Sequence, residues 1–286
     1  MKRRKVLFSV DDYQMEYTLV GEGAPILVFH GGHSNCMETF GYEFLVENSF
    51  MIITPSRAGY GKISKEIGVN LNVACQYYVE LLNHLHVDKA HIIAISAGGP
   101  TGICFSANYP DRVKTLTLQS AVTKEWLTPQ DTNYKIANVI FRPPVEKYTW
   151  AMFSIMSRAF PTFIFKQMIP SFSKLSYPEV KEKMEDTDVI EVCKMNHRQR
   201  SGQGFLLDLK QNSELSKEVL QQITCPTHVM HSLHDSSVPI EHAHFAQEYI
   251  SFSSLTVLDS WGHLIWLGKD SRETNQKVTY FLQEYQ

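Results

Sequence analysis

The sequence has no apolar run long enough for a membrane-spanning helix, and its 286 residues carry a net charge of only −3. A helical membrane protein is therefore not expected, and there is no electrostatic case for nucleic acid as a partner. The most apolar stretch, 150–169, is interrupted by Arg158, Pro161 and Lys166. Five cysteines, at 36, 75, 104, 193 and 225, are odd in number and lack C-x-x-C spacing. They read as reduced thiols of a cytoplasmic protein rather than a disulfide framework. The basic start Lys2-Arg3-Arg4-Lys5 is followed only by Val6-Leu7-Phe8 before polar residues resume, too little for a signal peptide. Neither G-x-x-x-x-G-K-S/T nor G-x-G-x-x-G occurs, so no cofactor with a phosphate to cradle is expected. His228, His231 and His234 are spaced by three, but a strand turns 228 and 231 to opposite faces. His242 and His244 diverge on a helix, so no metal site is expected. Internal repeats and low-complexity linkers are also missing.

What is present is an ordinary globular composition, 43% hydrophobic and 20% charged, with one stretch around which the rest can be arranged. His91–Ile95 is short, apolar and β-branched, as a central parallel strand should be. Gly98, Gly99 and Pro100 follow, suiting a sharp turn into a helix. Ser96 sits at the apex, in Ala94-Ile95-Ser96-Ala97-Gly98. This is the shape of a nucleophile elbow, in which a strained strand-to-helix turn lifts a serine Oγ above the sheet edge. The first glycine of G-x-S-x-G is alanine here. On its own the stretch would equally suit any tight turn in an α/β protein, so the rest of the chain must decide.

In chain order, 5–10 and 13–20 suggest a hairpin turning at Asp11-Asp12, and Pro25–Phe29 a strand buried on both faces. A helix is expected over Glu38–Glu47, a strand over Phe50–Thr54 and a helix over Val73–Leu85. The elbow strand, a helix to Asn108 and a strand over Val113–Leu118 come next. Such alternation implies a mostly parallel sheet with helices on both faces, and ligands beyond the carboxyl ends of its strands. The loops 30–36, 55–61 and 96–99 all leave those ends. Over 121–205 the alternation stops, prolines and aromatics accumulate, and the segment reads as a helical lid inserted into a core formed by 1–120 and 206–286. Its aromatic and methionine side chains read mainly as core; Trp150, Phe153 and Met156, with Trp261 and His33 outside it, are the candidates for substrate contact. The later expectations are a helix over Ser213–Ile223 capped by Asn212 or Ser213, a strand over Thr227–His231, a helix over Ile240–Tyr249, a strand over Leu255–Leu258 and a closing helix over Ser271–Glu284.

Serine chemistry needs a base to take the hydroxyl proton and a carboxylate to orient it. On this topology they should follow the serine at the ends of the last strands. Asp235 follows strand 227–231, and His263 follows strand 255–258. Each alone could be a turn aspartate or a loop histidine; all three in order, each at a strand end, point to Ser96, Asp235 and His263 as a catalytic triad. Asp208 lies a helix too early and belongs near the lid boundary, and Asp259 is too close to His263. The expected oxyanion donors are the amides of Ala97, heading the elbow helix, and Gly32, after strand 25–29. A structural hydrogen-bonding role is expected for His30.

With His30-Gly31-Gly32, Ser56-Arg57-Ala58-Gly59-Tyr60-Gly61, the Ser96 elbow, Tyr109-Pro110-Asp111-Arg112-Val113, Asp235 with Val238-Pro239, and Gly262-His263, the chain resembles the α/β-hydrolase superfamily over nearly its full length. The resemblance implies an α/β fold with a mostly parallel eight-stranded sheet, a helical cap and no cofactor. It leaves the substrate open, although Ser96 argues against the dehalogenases and epoxide hydrolases, which use an aspartate nucleophile. His33-Ser34 departs from the H-G-G-P-G of proline iminopeptidases, and Ala97 from the methionine of perhydrolases. The expectation is a serine hydrolase acting on a small-molecule acyl substrate, most simply a carboxylic ester. The alternatives are a ligand-binding or signalling module on the same scaffold and a C–C bond hydrolase. A monomer and a homodimer are both compatible with the sequence.

Overall fold

The computed structural model describes residues 3–286; the basic start at Lys2 lies outside the described residues. Eight strands form one sheet: β1 (Arg4–Val10), β2 (Tyr13–Val20), β3 (Ala24–Phe29), β4 (Phe50–Pro55), β5 (Ala90–Ile95), β6 (Val113–Gln119), β7 (Thr227–Ser232) and β8 (Ser253–Leu258). Their spatial order is β1-β2-β4-β3-β5-β6-β7-β8. β1, β2 and β4 pair antiparallel, the first hairpin turning at Asp11-Asp12, and every pairing from β4 to β8 is parallel. The chain leaves β3 for β4 on one side, while β5 lies on the other. The sheet therefore reverses direction between β3 and β5, and a crevice opens at such a point. The loops that carry Gly31-Gly32 and Ser96 leave the two strands bordering it.

Alternating side chains build two cores. Leu27, Phe29, Ile92 and Ala94 pack on one face with α2 (Leu71–His84) and α3 (Gly99–Asn108). Ile26, Val28, Ile93 and Ile95 pack on the other with α1 (Tyr42–Glu47) and the C-terminal helix, Ser271–Glu284. The helix expected over 38–47 starts late. Asn35 forms a turn with Met37 and Glu38, and Gly41, in the left-handed region (φ +74°), launches α1 only at Tyr42.

Between β6 and β7 run α4 (Thr132–Ile140), α5 (Val145–Ala159), α6 (Pro161–Phe172), α7 (Tyr177–Lys183), α8 (Asp186–Arg198), α9 (Gly204–Gln211) and α10 (Lys217–Gln221). α5, α6 and α8 pack on one another, and Phe165, Ile169, Val192 and Met195 join the second core. Not all of the aromatic and methionine side chains expected as core are buried. Tyr148, Met152, Phe160 and Phe163 are exposed, because α5 buries only the face bearing Glu146, Trp150 and Ser157. The single helix expected over 213–223 is broken by the extended Leu215, with Ser216 as the N-cap of α10. Asn212 donates to the Trp126 carbonyl instead of capping. α11 (Glu241–Tyr249) precedes β8, and α12 (Ser271–Glu284) closes the chain.

Candidate active site

β5 is the centre of the sheet, with all six residues buried. At its end Ser96 takes φ +52°, a conformation costly for a residue with a Cβ and held here by its surroundings. The turn works because several neighbours lack side chains. A Cβ on Gly98 would overlap the Phe29 carbonyl oxygen, and one on Gly99 that of Val122. The alanine that replaces the first elbow glycine is accommodated from the opposite side, because Gly102 on α3 faces the Ala94 methyl and a Cβ there would overlap it. The glycine has in effect moved from strand to helix.

Three side chains meet above this turn. Asp235 can only accept when ionised, so the 2.7 Å bond places a proton on His263 Nδ1, donated to Asp235 Oδ2. His263 Nε2 then accepts from Ser96 Oγ at 2.9 Å. The other carboxylate oxygen, Oδ1, accepts the backbone N–H groups of Ser237 and Val238 at 2.8 and 2.9 Å. Burial opposes the charge on Asp235, but His263 and His231 outweigh it and hold the carboxyl well below its ordinary range. His231, which the sequence did not mark as part of the site, lies on β7 with Nε2 2.8 Å from the Val238 carbonyl and 3.3 Å from Asp235 Oδ2. The His263 loop is itself anchored, its N–H donating to the Phe172 carbonyl and its carbonyl accepting from Ser120 Oγ. No cluster of three metal-ligating side chains occurs among the described residues.

Gly31 and Gly32 lie beside the serine. A Cβ on Gly31 would approach Ser96 Cβ at 3.1 Å, and one on Gly32 would meet the Phe205 ring at 3.0 Å and Ala97 Cβ at 3.6 Å. The Gly32 N–H has no acceptor among the described residues. Ala97 is second in the turn heading α3, where amides have no intrahelical partner. The loop is held from behind. His30 Nε2 accepts the Arg57 N–H, and Arg57 Nε donates to the His30 carbonyl at 2.7 Å. Burial and the Arg57 charge keep His30 neutral, its pKa well below the usual value. Arg57 pairs through both Nη atoms with Asp208 on α9, at 2.5 and 2.8 Å, and Tyr60 also donates to Asp208. Asp208 thus belongs to a buried bracket behind the Gly31-Gly32 loop. The other carboxylate weighed in the sequence, Asp259, is exposed and pairs with Lys183 and His234.

The candidate contact residues divide. His33 is ringed by Phe141, Trp150 and Phe205, with centroids 4.2, 5.1 and 3.9 Å away. The Trp150 indole can only donate, so the buried Ser201 Oγ accepts from it at 2.7 Å. Ser201 Oγ is also hydrogen-bonded to His33 Nδ1 at 2.7 Å. Burial lowers the pKa of His33 to about 3, so the ring is neutral through the physiological range. Phe153 stands 5.7 Å from Trp150, and Met156 is half-buried on the same helix. Trp261 does not join them: it is 1% exposed and packs against Phe165 and Phe172 in the second core, because α6 covers it. Its role is packing. Phe141 follows α4, Ser201 lies in the turn before α9 and Phe205 on α9, all far along the chain, and they carried no local signal in the sequence. A surface cleft of about 420 Å³ lies between the 59–66 loop and 202–203, and its lining includes none of Ser96, Asp235 and His263.

A family model for the alpha/beta hydrolase fold matches residues 23–146. The chain is 54% identical over 283 residues to the uncharacterized hydrolase YcgS of Bacillus subtilis (strain 168), covering 99% of this chain and 100% of the relative. It is 24% identical over 284 residues to the 2-hydroxy-6-oxononadienedioate/2-hydroxy-6-oxononatrienedioate hydrolase 1 of Pseudomonas putida, covering 95% and 92%. Among solved structures it is similar to an alpha/beta hydrolase fold protein from Nakamurella multipartita, with a TM-score of 0.82, 24% identity and coverage of 98% and 99%.

Proposed function

We propose, for a chain that belongs to the alpha/beta hydrolase family, that it is a serine hydrolase that cleaves a small carboxylic ester through an acyl-enzyme. The observation that carries this reading is the unbroken series Asp235–His263–Ser96, with the serine raised on a strained turn. Ser96 Oγ attacks the acyl carbon as His263 Nε2 takes its proton. The carbonyl oxygen becomes an oxyanion, received by the N–H groups of Gly32 and Ala97. A well-aimed donor of this kind contributes about 3–4 kcal/mol. His263 returns the proton to the leaving alkoxide, and Asp235 stabilises the imidazolium in between. Water, deprotonated by His263, then attacks the acyl-enzyme and releases the acid. The neutral imidazole of His33, set in its aromatic surround, offers a polar contact to the substrate, with Trp150, Phe153 and Met156 giving apolar contact. In this reading 121–205 forms the lid over a core made of 1–120 and 206–286. Five buried free thiols fit a reducing, cytoplasmic setting.

The test is labelling with a fluorophosphonate, with intact mass and peptide mapping, followed by an ester panel of graded acyl length. A single adduct on Ser96, lost together with turnover in a folded Ser96→Ala variant, is the expected result. Turnover that survives Ser96→Ala overturns the assignment. A folded wild type that takes no label and turns over no ester favours the binding-module reading. C–C bond cleavage is the second enzymatic reading, favoured by the P. putida relative's alignment over 95% of this chain. Turnover of a vinylogous diketone, with no ester turned over, selects it.

A further inference from the structure

A surface helix of a soluble protein buries one face and turns a polar one to water; α5 does not. Opposite its buried Glu146, Trp150 and Ser157, the spacing 148, 152, 155, 159 presents Tyr148, Met152, Ile155 and Ala159 outward. Tyr148, Met152 and Ile155 are 58–70% exposed. Phe160, between α5 and α6, and Phe163 on α6 are exposed too, and exposed Ile136 and Val139 lie on α4, which packs against α5. So much exposed apolar surface on neighbouring helices marks an interaction site. Along 132–172 the exposed charge has one sign. Residues 132–172 contain the exposed cations Lys135, Arg142, Lys147, Arg158 and Lys166, although the chain as a whole carries −3. The one acid in that span, Glu146, is buried and paired with Arg200. Asp131, just ahead of α4, is tied to Thr128. Lys147 and Arg158 are three helical turns apart, and so lie on one edge of the α5 stripe.

We propose that the outward face of α4–α6 docks on an anionic lipid surface, with the apolar stripe entering the interface and the cations meeting the headgroups. An apolar face bordered by lysine and arginine is the pattern of helices that lie in a bilayer interface. A two-fold contact between copies of this chain would set five cations against the same five, with no exposed acid in the span to answer them. The proposal does not rest on the chemistry assigned to Ser96.

The experiment is co-sedimentation of the full chain with phosphatidylglycerol–phosphatidylcholine vesicles and with pure phosphatidylcholine vesicles, at low and high salt, with light scattering in parallel. Binding to the anionic vesicles should exceed binding to the neutral ones by roughly tenfold, and salt should weaken it. Met152→Glu with Ile155→Glu should abolish it, with an unchanged circular dichroism spectrum. Lys147→Glu with Arg158→Glu should remove the preference for anionic lipid. Vesicle binding that these variants leave intact overturns the proposal, as does no binding by wild type. A dimer that dissociates in Met152→Glu/Ile155→Glu, without vesicle binding, assigns the face to a second copy instead.

Discussion

Asp208→Ala should unfold this protein far more readily than removal of an average side chain. Arg57 is 2% exposed, and Asp208 neutralises it from 151 positions away in sequence, while Tyr60 donates to the same carboxylate. Burial disfavours the guanidinium charge, and Asp208 outweighs it, holding Arg57 above its ordinary range. Taking away the carboxylate leaves a buried charge uncompensated and a phenol without its acceptor, a loss of about 3–5 kcal/mol. At roughly 2–4 °C per kcal/mol for a large domain, the melting temperature should fall by about 10 °C. Much of that cost is the stranded charge rather than the worth of the pair. Arg57→Met combined with Asp208→Leu, which buries no charge, should therefore recover at least half of it. Urea denaturation followed by circular dichroism measures both variants. A single Asp208→Ala variant within about 1 kcal/mol of wild type would refute the reasoning, as would a double variant less stable than the single one.

Gly102→Ala should cost about 1–3 kcal/mol despite the better helix propensity of alanine, because its Cβ would overlap that of Ala94. Adding Ala94→Gly should restore most of the loss, and denaturation that shows no coupling between the two sites would rule the account out. Stability should also fall as acid is added. His91 and His228 are lowered to about 4 and His242 and His33 to about 3, with burial the largest cause for each. Below the unfolded value of about 6.5 the unfolded chain binds protons that the native state refuses, so stability rises with pH through this window, by about 1.4 kcal/mol per pH unit for each histidine. The four together set an upper bound of about 5 kcal/mol per unit near pH ~5, easing as the native histidines titrate below pH ~4. His91→Gln should remove one histidine's share of that slope, and urea titrations between pH ~5 and pH ~6 check it.

The sequence by itself determined the sheet and the strand ends that carry the candidate triad. Pro25–Phe29 and His91–Ile95 are apolar on both faces and can rest only inside a parallel sheet. Ser96, Asp235 and His263 each follow a strand, and parallel strands deliver all such positions to one edge. Local pattern was enough because strand burial and strand ends are local properties. It was insufficient where an element depends on a partner far away. The helix expected from Glu38 starts at Tyr42 because of Gly41, whose missing side chain makes room for Asn275. Trp261, expected as a substrate contact, is covered by α6 instead. The pairing of Arg57 with Asp208, the Ser201 hydroxyl bonded to His33, and the Phe205 ring over Gly32 were decided by tertiary structure alone. Each ties the 30–33 loop, or the Arg57 that braces it, to α9 or to the turn before it, and no periodicity in a chain records which of its buried polar groups will satisfy one another across more than a hundred residues.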